Sequence, residues 1–295
     1  MTFLRAQMMS AVSALSVLAM LLVSCADPVP DDYVPELVVE GFAIAGQPLT
    51  NIRIFATQPL SDTFSLEKAM IRDAEVLLTE NGTPLPVRYV AGDRGGYYEV
   101  ADPSFRVKEE STYDIEVRAI GKVARATART PKAFSWIVPP KAIMQYPGRA
   151  NETKFFDSLR VSWVGQEGVG RYVVGIECLD TTSYGQYLTP PTQDTNRRIR
   201  DEEIDDGSLI TSERMRYGFS FVSNTPVVWI AFKWFGPHRI HIYTGDEAFQ
   251  AWFSMVGFGR RSTFDYRLSN VEGGLGVFAA ATEITAPIFL LKDTP

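Results

Sequence analysis

The chain alternates apolar and polar residues in short runs broken by Gly, Asn, Asp and Pro, the period-2 pattern of half-buried strands. The clearest run is Thr112–Ala119, where Tyr113, Ile115, Val117 and Ala119 share one face and charged residues the other. Before it, Leu37–Phe42, Asn51–Phe55, Ala74–Thr79, Val87–Val90 and Tyr97–Val100 read as strands. After it, Gly121-Lys122 turns the chain into Val123–Arg129, and Pro131 ends the run. Asn81-Gly82 is a hairpin signal, because both residues accept positive φ. About seven strands in ~95 residues predict an immunoglobulin-like or fibronectin-like sandwich over 37–131.

From 132 to 295 the pattern stays β-rich. Phe134–Val138, Leu159–Trp163, Arg171–Leu179, Met215–Ser223, Val227–Phe235, Arg239–Tyr243, Gly276–Ile284 and Pro287–Leu291 read as strands. Residues 180–200 are polar and proline-bearing and read as a long loop. One helix is predicted over about 245–257. Thr244 and Glu247 have the spacing of a capping box. Ala248, Phe249, Trp252, Phe253 and Val256 recur at helical spacing, and Gly257 and Gly259 are stop signals. The fold class is mainly β: an N-terminal sandwich domain, 37–131, then a second β-rich domain, 132–295, with one covering helix.

Residues 1–24 stand outside this pattern. Arg5 gives a positive start, and a serine-interrupted apolar run from Met8 to Val23 follows. That run reads as the apolar region of a lipoprotein signal peptide rather than as a membrane span, which needs roughly 20 apolar residues. Leu22-Val23-Ser24-Cys25 resembles the bacterial lipobox, in which the Cys25 thiol takes the diacylglycerol. Two or more acyl chains of the palmitate kind hold a protein on a membrane without spanning it. Residues 25–36 carry Asp27, Pro28, Pro30, Asp31, Asp32 and Pro35 and read as a stiff, solvated tether. Ala26 follows the cysteine directly, unlike an inner-membrane retention signal, so the expected location is the outer membrane, with its periplasmic or surface side left open.

Composition narrows the chemistry. The 295 residues carry 29 basic and 35 acidic side chains, a net charge of −6, so there is no basic excess for nucleic acid. Two cysteines and two histidines exclude a disulfide framework and a four-thiolate zinc site. No Gly-x-Ser-x-Gly elbow, dinucleotide fingerprint or phosphate loop occurs. Gly273-Gly274-Leu275-Gly276 precedes a strand and reads as a tight turn or bulge. His238 and His241 lie three apart in a strand, so they point to opposite faces and are poorly placed to share a metal. The acidic stretch from Asp201 to Gly207 fails as a calcium loop, because Ile204 falls where an oxygen ligand is needed; it reads as a solvated turn. Cys178 shares a strand face with Tyr172, Val174 and Ile176 and reads as a buried structural thiol. Trp136, Trp163, Trp229, Trp234 and Trp252 read as packing residues, with a sugar-stacking platform as the alternative. No catalytic, metal-binding or cofactor-binding residue is assigned.

Three features together point further: Leu37-Val38-Val39-Glu40-Gly41-Phe42 shortly after the lipobox, the Tyr113–Val117 strand with its hairpin closing at Thr130-Pro131, and Ser269-Asn270-Val271-Glu272-Gly273-Gly274-Leu275-Gly276-Val277-Phe278. Over about residues 25–290 the chain resembles the Bacteroidetes lipoproteins grouped as domain-of-unknown-function family 4249. That resemblance implies a cell-envelope lipoprotein, often encoded beside TonB-dependent outer-membrane transporters, and it transfers one functional site, the lipidated Cys25. The expected function is a non-enzymatic binding or accessory protein. Its partners would be the membrane, through the lipid, and an outer-membrane transporter or other envelope protein. A glycan- or peptide-binding module using exposed aromatics is the alternative. A hydrolase with a site around His238 or His241 is the third reading.

Overall fold

The structure, a computed structural model, describes residues 33–59, 61–92, 95–154, 156–197, 199, 215–258 and 269–292, without the side chains of 216 and 255–258. The signal segment, Cys25, the acidic stretch at 201–207 and the Val256 side chain therefore lie outside the described residues. Two compact units are distinguished. Met1–Pro35 with Gln58–Phe64 form one, and Glu36–Thr57 with Ser65–Pro295 the other. The described part of the smaller unit holds no strand or helix; its Asp62 N–H donates to the Pro59 carbonyl at 3.0 Å, closing a turn.

The larger unit is mainly β. Its N-terminal half contributes β1 (Leu37–Ile44), β2 (Arg53–Ala56), a short helix α1 (Leu66–Ala69), β3 (Glu75–Glu80), β4 (Thr83–Leu85), β5 (Val87–Val90), β6 (Tyr97–Val100), β7 (Thr112–Ala119) and β8 (Lys122–Arg129). The second half contributes β9 (Trp136–Val138), β10 (Ile143–Gln145), β11 (Val161–Trp163), β12 (Tyr172–Cys178), β13 (Met215–Ser220), β14 (Asn224–Thr225), β15 (Gly236–Gly245), the helix α2 (Glu247–Phe258) and β16 (Leu275–Leu291). Asn81 (φ 50°) and Gly82 (φ 78°) make the expected two-residue turn between β3 and β4. In β7, Tyr113, Ile115 and Val117 are buried as the alternation requires.

A seven-stranded sheet runs β13-β12-β15-β16-β1-β2, with β10 also pairing β16; β4-β3-β7-β8 form a second sheet. The 17-residue β16 organises the unit. Its partner β1 lies parallel to it, from Val38 opposite Leu275 to Ile44 opposite Ala281. On one face of β16, Phe278 and Ala280 enter a core made, apart from Val271, of N-terminal residues such as Ile52, Leu78, Tyr113 and Val117. Farther along that face, Ala286, Ile288 and Leu290 enter a second core with Trp163, Trp229 and Ile242. On the opposite face, Val277, Ala279 and Ala281 pack with Phe249 and Phe253 of α2. The first core thus draws Val271, Phe278 and Ala280 from beyond residue 131, and the large sheet runs through both halves of the chain.

Three expectations are corrected. Gly276–Ile284 and Pro287–Leu291 are one strand. Phe289 N–H donates toward the β10 side, to the Ala142 carbonyl, and Pro287, two residues before, has the same parity. Its missing N–H faces the interval between the pairing with β1 and that with β10, so no ladder bond is lost. Val227–Phe235 is not a strand: Trp229–Ala231 form a turn of 3₁₀ helix, and the segment lies across the sheet with Trp229, Phe232 and Phe235 buried. The cap of α2 is Asp246, not Thr244. The Asp246 Oδ1 accepts from Phe249 N–H at 2.9 Å and its carbonyl from Gln250 N–H at 3.0 Å, whereas the Thr244 hydroxyl is buried in β15 with no hydrogen-bond partner among the described residues. Among those residues no helix is long and apolar enough to cross a membrane.

Candidate functional site

Strand periodicity divides the functional candidates between the two faces of the large sheet. In β12 and β15, Cys178 lies opposite His238, Ile176 opposite Ile240 and Val174 opposite Ile242, all on the second-core face. Glu177, Arg239, His241 and Tyr243 take the other face. His238 and His241 therefore point apart, as their spacing requires.

On the polar face, His241 is held between two carboxylates. Its Nδ1 meets Glu283 Oε1, and its Nε2 lies 3.1 Å from Glu177 Oε2. The Tyr243 hydroxyl lies 3.2 Å from Nδ1, with its ring stacked on the imidazole. Gln47 donates to Glu283 Oε2 at 2.5 Å, and Arg239 lies 3.8 Å from Glu177. Burial pushes the Glu283 carboxyl up, but its bond to His241, the charge of that ring and bonds from Tyr243 and Gln47 outweigh this and hold it below the usual carboxylate value. Burial first, then the Glu283 charge, pushes the Tyr243 phenol up; burial and the Glu177 and Glu283 charges raise Tyr217 to about 12. The histidine partners are two carboxylates and a phenol, so the cluster gathers acidic groups around one ring. The two carboxylates meet opposite ends of one ring and do not converge. Among the described residues no group of three or more His, Cys, Asp or Glu side chains is placed to hold a metal.

On the other face a cavity of about 310 Å³ opens between the sheet and the 225–232 segment. Val174, Ile176, Ile240 and Ile288 form its floor, and Pro226, Val228, Ile230 and Phe232 its opposite wall. The Thr225 hydroxyl, at the same cavity, is already spent on the Pro226 carbonyl at 3.0 Å. Sequence reasoning missed this cavity because its wall is the segment misread as a strand.

The remaining candidates are structural. Cys178 is a buried thiol donating to the Asp180 carbonyl at 3.4 Å. His238 is buried and donates from Nδ1 to the Gly236 carbonyl at 2.8 Å, and burial lowers its pKa to about 4. None of the five tryptophans is exposed; Trp163 and Trp229 are fully buried, and Trp136 and Trp252 are half-buried in edge-on contacts with Trp163 and Phe42. That arrangement offers no coplanar tryptophan platform for a sugar.

Two of the three features behind the family resemblance, Leu37–Phe42 and Ser269–Phe278, meet in space. Gly41 lies opposite Phe278, and a Cβ at Gly41 would sit 3.0 Å from the Phe278 ring. Asn270 clamps the Phe278 backbone from both sides, its Nδ2 donating to the carbonyl at 2.6 Å and its Oδ1 accepting from the N–H at 3.0 Å. Gly276, at φ +110°, lets the chain pass against the Val39 carbonyl, where a Cβ would intrude to 2.0 Å. The glycine-rich run is thus the tight entry of β16 between its neighbours.

Several solved structures align with the chain, two of them from titin. One is the I-band fragment I67–I69 from titin, at 7% identity, covering 88% of this chain and 67% of that one, with TM-score 0.22. The other is the three-immunoglobulin structure of titin domains I67–I69 in an E-to-A mutated variant, at 8% identity, covering 88% and 66%, with TM-score 0.22. No curated protein matches the chain. The model of a family described as a domain of unknown function, DUF4249, matches residues 26–248, most of the chain, and the protein belongs to that family.

Proposed function

We propose that the protein is a lipid-anchored cell-envelope protein that acts by binding, without catalysis, alongside an outer-membrane transporter or another envelope partner. Cys25 carries the lipid and the outer membrane receives it; the lipobox and the Asp/Pro tether support that part. The observation that carries the binding role is a run of exposed apolar side chains between β13 and the cavity wall. Phe221 is 74% exposed, Val222 and Ile230 are each 57% exposed, and Val228 is 41% exposed. Single exposed apolar residues are ordinary, but several within ten residues of chain mark a contact surface. Placed on a tether, such a surface can meet a partner in the same membrane.

The test is co-purification from solubilised membranes with the wild-type chain and with the double variant Phe221→Asp/Ile230→Asp. A transporter or other envelope protein should be recovered with the wild type, and the double variant should lower recovery at least about tenfold, equivalent to ~1.4 kcal/mol. Absence of any envelope partner, or equal recovery by both proteins, contradicts the reading.

A further inference from the structure

We infer that the cavity between the large sheet and the 225–232 segment is a binding site for an uncharged aliphatic chain of about ten to twelve carbons. Its lining is the first argument. Val174, Ile176, Ile240 and Ile288 on one side face Val228 and Ile230 on the other, and the Thr225 hydroxyl already donates its proton to the Pro226 carbonyl. A charged or strongly polar group placed there would lose its water without gaining a partner, which costs several kcal/mol. A predominantly apolar lining of this kind favours apolar molecules over polar ones.

Volume sets the length. A cavity of ~150 Å³ holds one benzene, so about 310 Å³ has room for roughly twice that number of carbons. This also lies at the lower end of small-molecule sites.

Gly218 is an independent observation. It sits inside β13, opposite Val174, and lines the cavity. A glycine in a strand interior weakens the strand and often marks a place where something must approach closely. Its neighbour in the sheet, Gly175, is tightly enclosed: a Cβ there would lie 3.3 Å from His241 Cβ and 3.4 Å from the Tyr217 ring, with the movable end of Met215 at 2.8 Å. A Cβ at Gly218 would meet nothing within 4 Å. No neighbouring side chain occupies the space beside Gly218, which is left open to the cavity. The rim residues Val228 and Ile230 are also exposed, so a chain can enter from outside.

The aliphatic chain can come from a free molecule or from the acyl group of a membrane lipid, and the test separates the two. The full chain, processed in its own cells and reconstituted in lipid nanodiscs, is exposed to a ten-carbon alcohol bearing a diazirine, irradiated and peptide-mapped. Labelling should concentrate on 172–178, 215–220 and 225–232. Gly218→Leu, which fills the cavity from an open position, should reduce that labelling at least tenfold with an unchanged melting temperature. If that variant melts early, Ala231→Leu takes its place from the opposite wall. Excess 1-decanol should compete at least tenfold better than 1,10-decanediol, whose far hydroxyl would be buried without a partner. A phosphatidylethanolamine with the diazirine in its acyl chain, built into the nanodisc, labels the same peptides if membrane lipid is the source; labelling by the alcohol alone assigns a free aliphatic molecule. Labelling spread over the surface, or undiminished in a folded cavity-filled variant, overturns the inference.

Discussion

Asp246 ties three elements together. Its Oδ1 caps α2 through Phe249 N–H at 2.9 Å, and its Oδ2 accepts from Ala280 N–H of β16 at 3.0 Å and from Arg129 N–H of β8 at 3.1 Å. Asp246→Ala removes all three bonds. The cap contributes about 1 kcal/mol. The Ala280 N–H is fully buried and, left without an acceptor, costs about 1–3 kcal/mol. Arg129 is exposed, so its N–H turns to water at little cost. Against these losses, burial raises the Asp246 pKa more than its three backbone bonds lower it, so deleting the charge returns part of a desolvation penalty. The net expectation is a loss of about 2–3 kcal/mol, large against a typical stability of ~5–15 kcal/mol. Urea unfolding should show a lower midpoint at unchanged slope. Thr244→Val is the control. With no partner to lose, its hydroxyl can be deleted at a change within about 0.5 kcal/mol. A loss under ~1 kcal/mol for Asp246→Ala, or of ~1 kcal/mol or more for Thr244→Val, would refute this account of the helix start.

Three other outcomes follow from the geometry. Because the Glu283 pKa is lowered in the folded state, its contribution is present above the ordinary carboxylate value of about 4.3 and is lost as pH falls through the folded value. Glu283→Gln should destabilise at pH 7 and converge on wild type in acid; a gap independent of pH contradicts the His241–Glu283 pairing. His238, lowered from 6.5 to about 4, leaves the unfolded chain binding the proton first. Stability should therefore fall by up to about 3 kcal/mol between pH 6.5 and 4, and His238→Gln should remove that part of the slope in pH-dependent unfolding. Gly41→Val should cost about 1–3 kcal/mol by overpacking Phe278, with Phe278→Leu recovering at least ~1 kcal/mol in a double-mutant cycle; additive effects would place the strain elsewhere.

Local pattern carried much of the fold. The alternation in β7, the Asn81-Gly82 turn and the apolar spacing of α2 depend only on neighbours within a few residues, and each is where the sequence places it. The long-range architecture was not legible. Val39 pairs with Gly276 across more than half the chain, and nothing in either run specifies a parallel partner so distant. Val227–Phe235 misled for a related reason: an apolar run satisfies a strand and a segment laid across a sheet equally well, and tertiary packing chose the second. The cavity depends on that choice, as does the meaning of Gly218. The Glu177–His241–Glu283 cluster was half legible. The strand parity of the histidines was readable, but the carboxylate from β16 reaches His241 only through sheet pairing. Two of the three features of the family resemblance prove to be one structural joint, Gly41 making room for Phe278 while Asn270 holds its backbone.

The claim on which the proposed function rests most heavily is the anchor. Intact-mass and N-terminal peptide mass spectrometry of the protein from its own membranes tests it directly. The account predicts a mature chain beginning at Cys25 with a diacylglycerol-bearing thiol, and no such species from Cys25→Ser, which should leave the membrane pool in unprocessed form. A mature chain that starts elsewhere, or an unmodified Cys25 thiol on the membrane-associated protein, would contradict it.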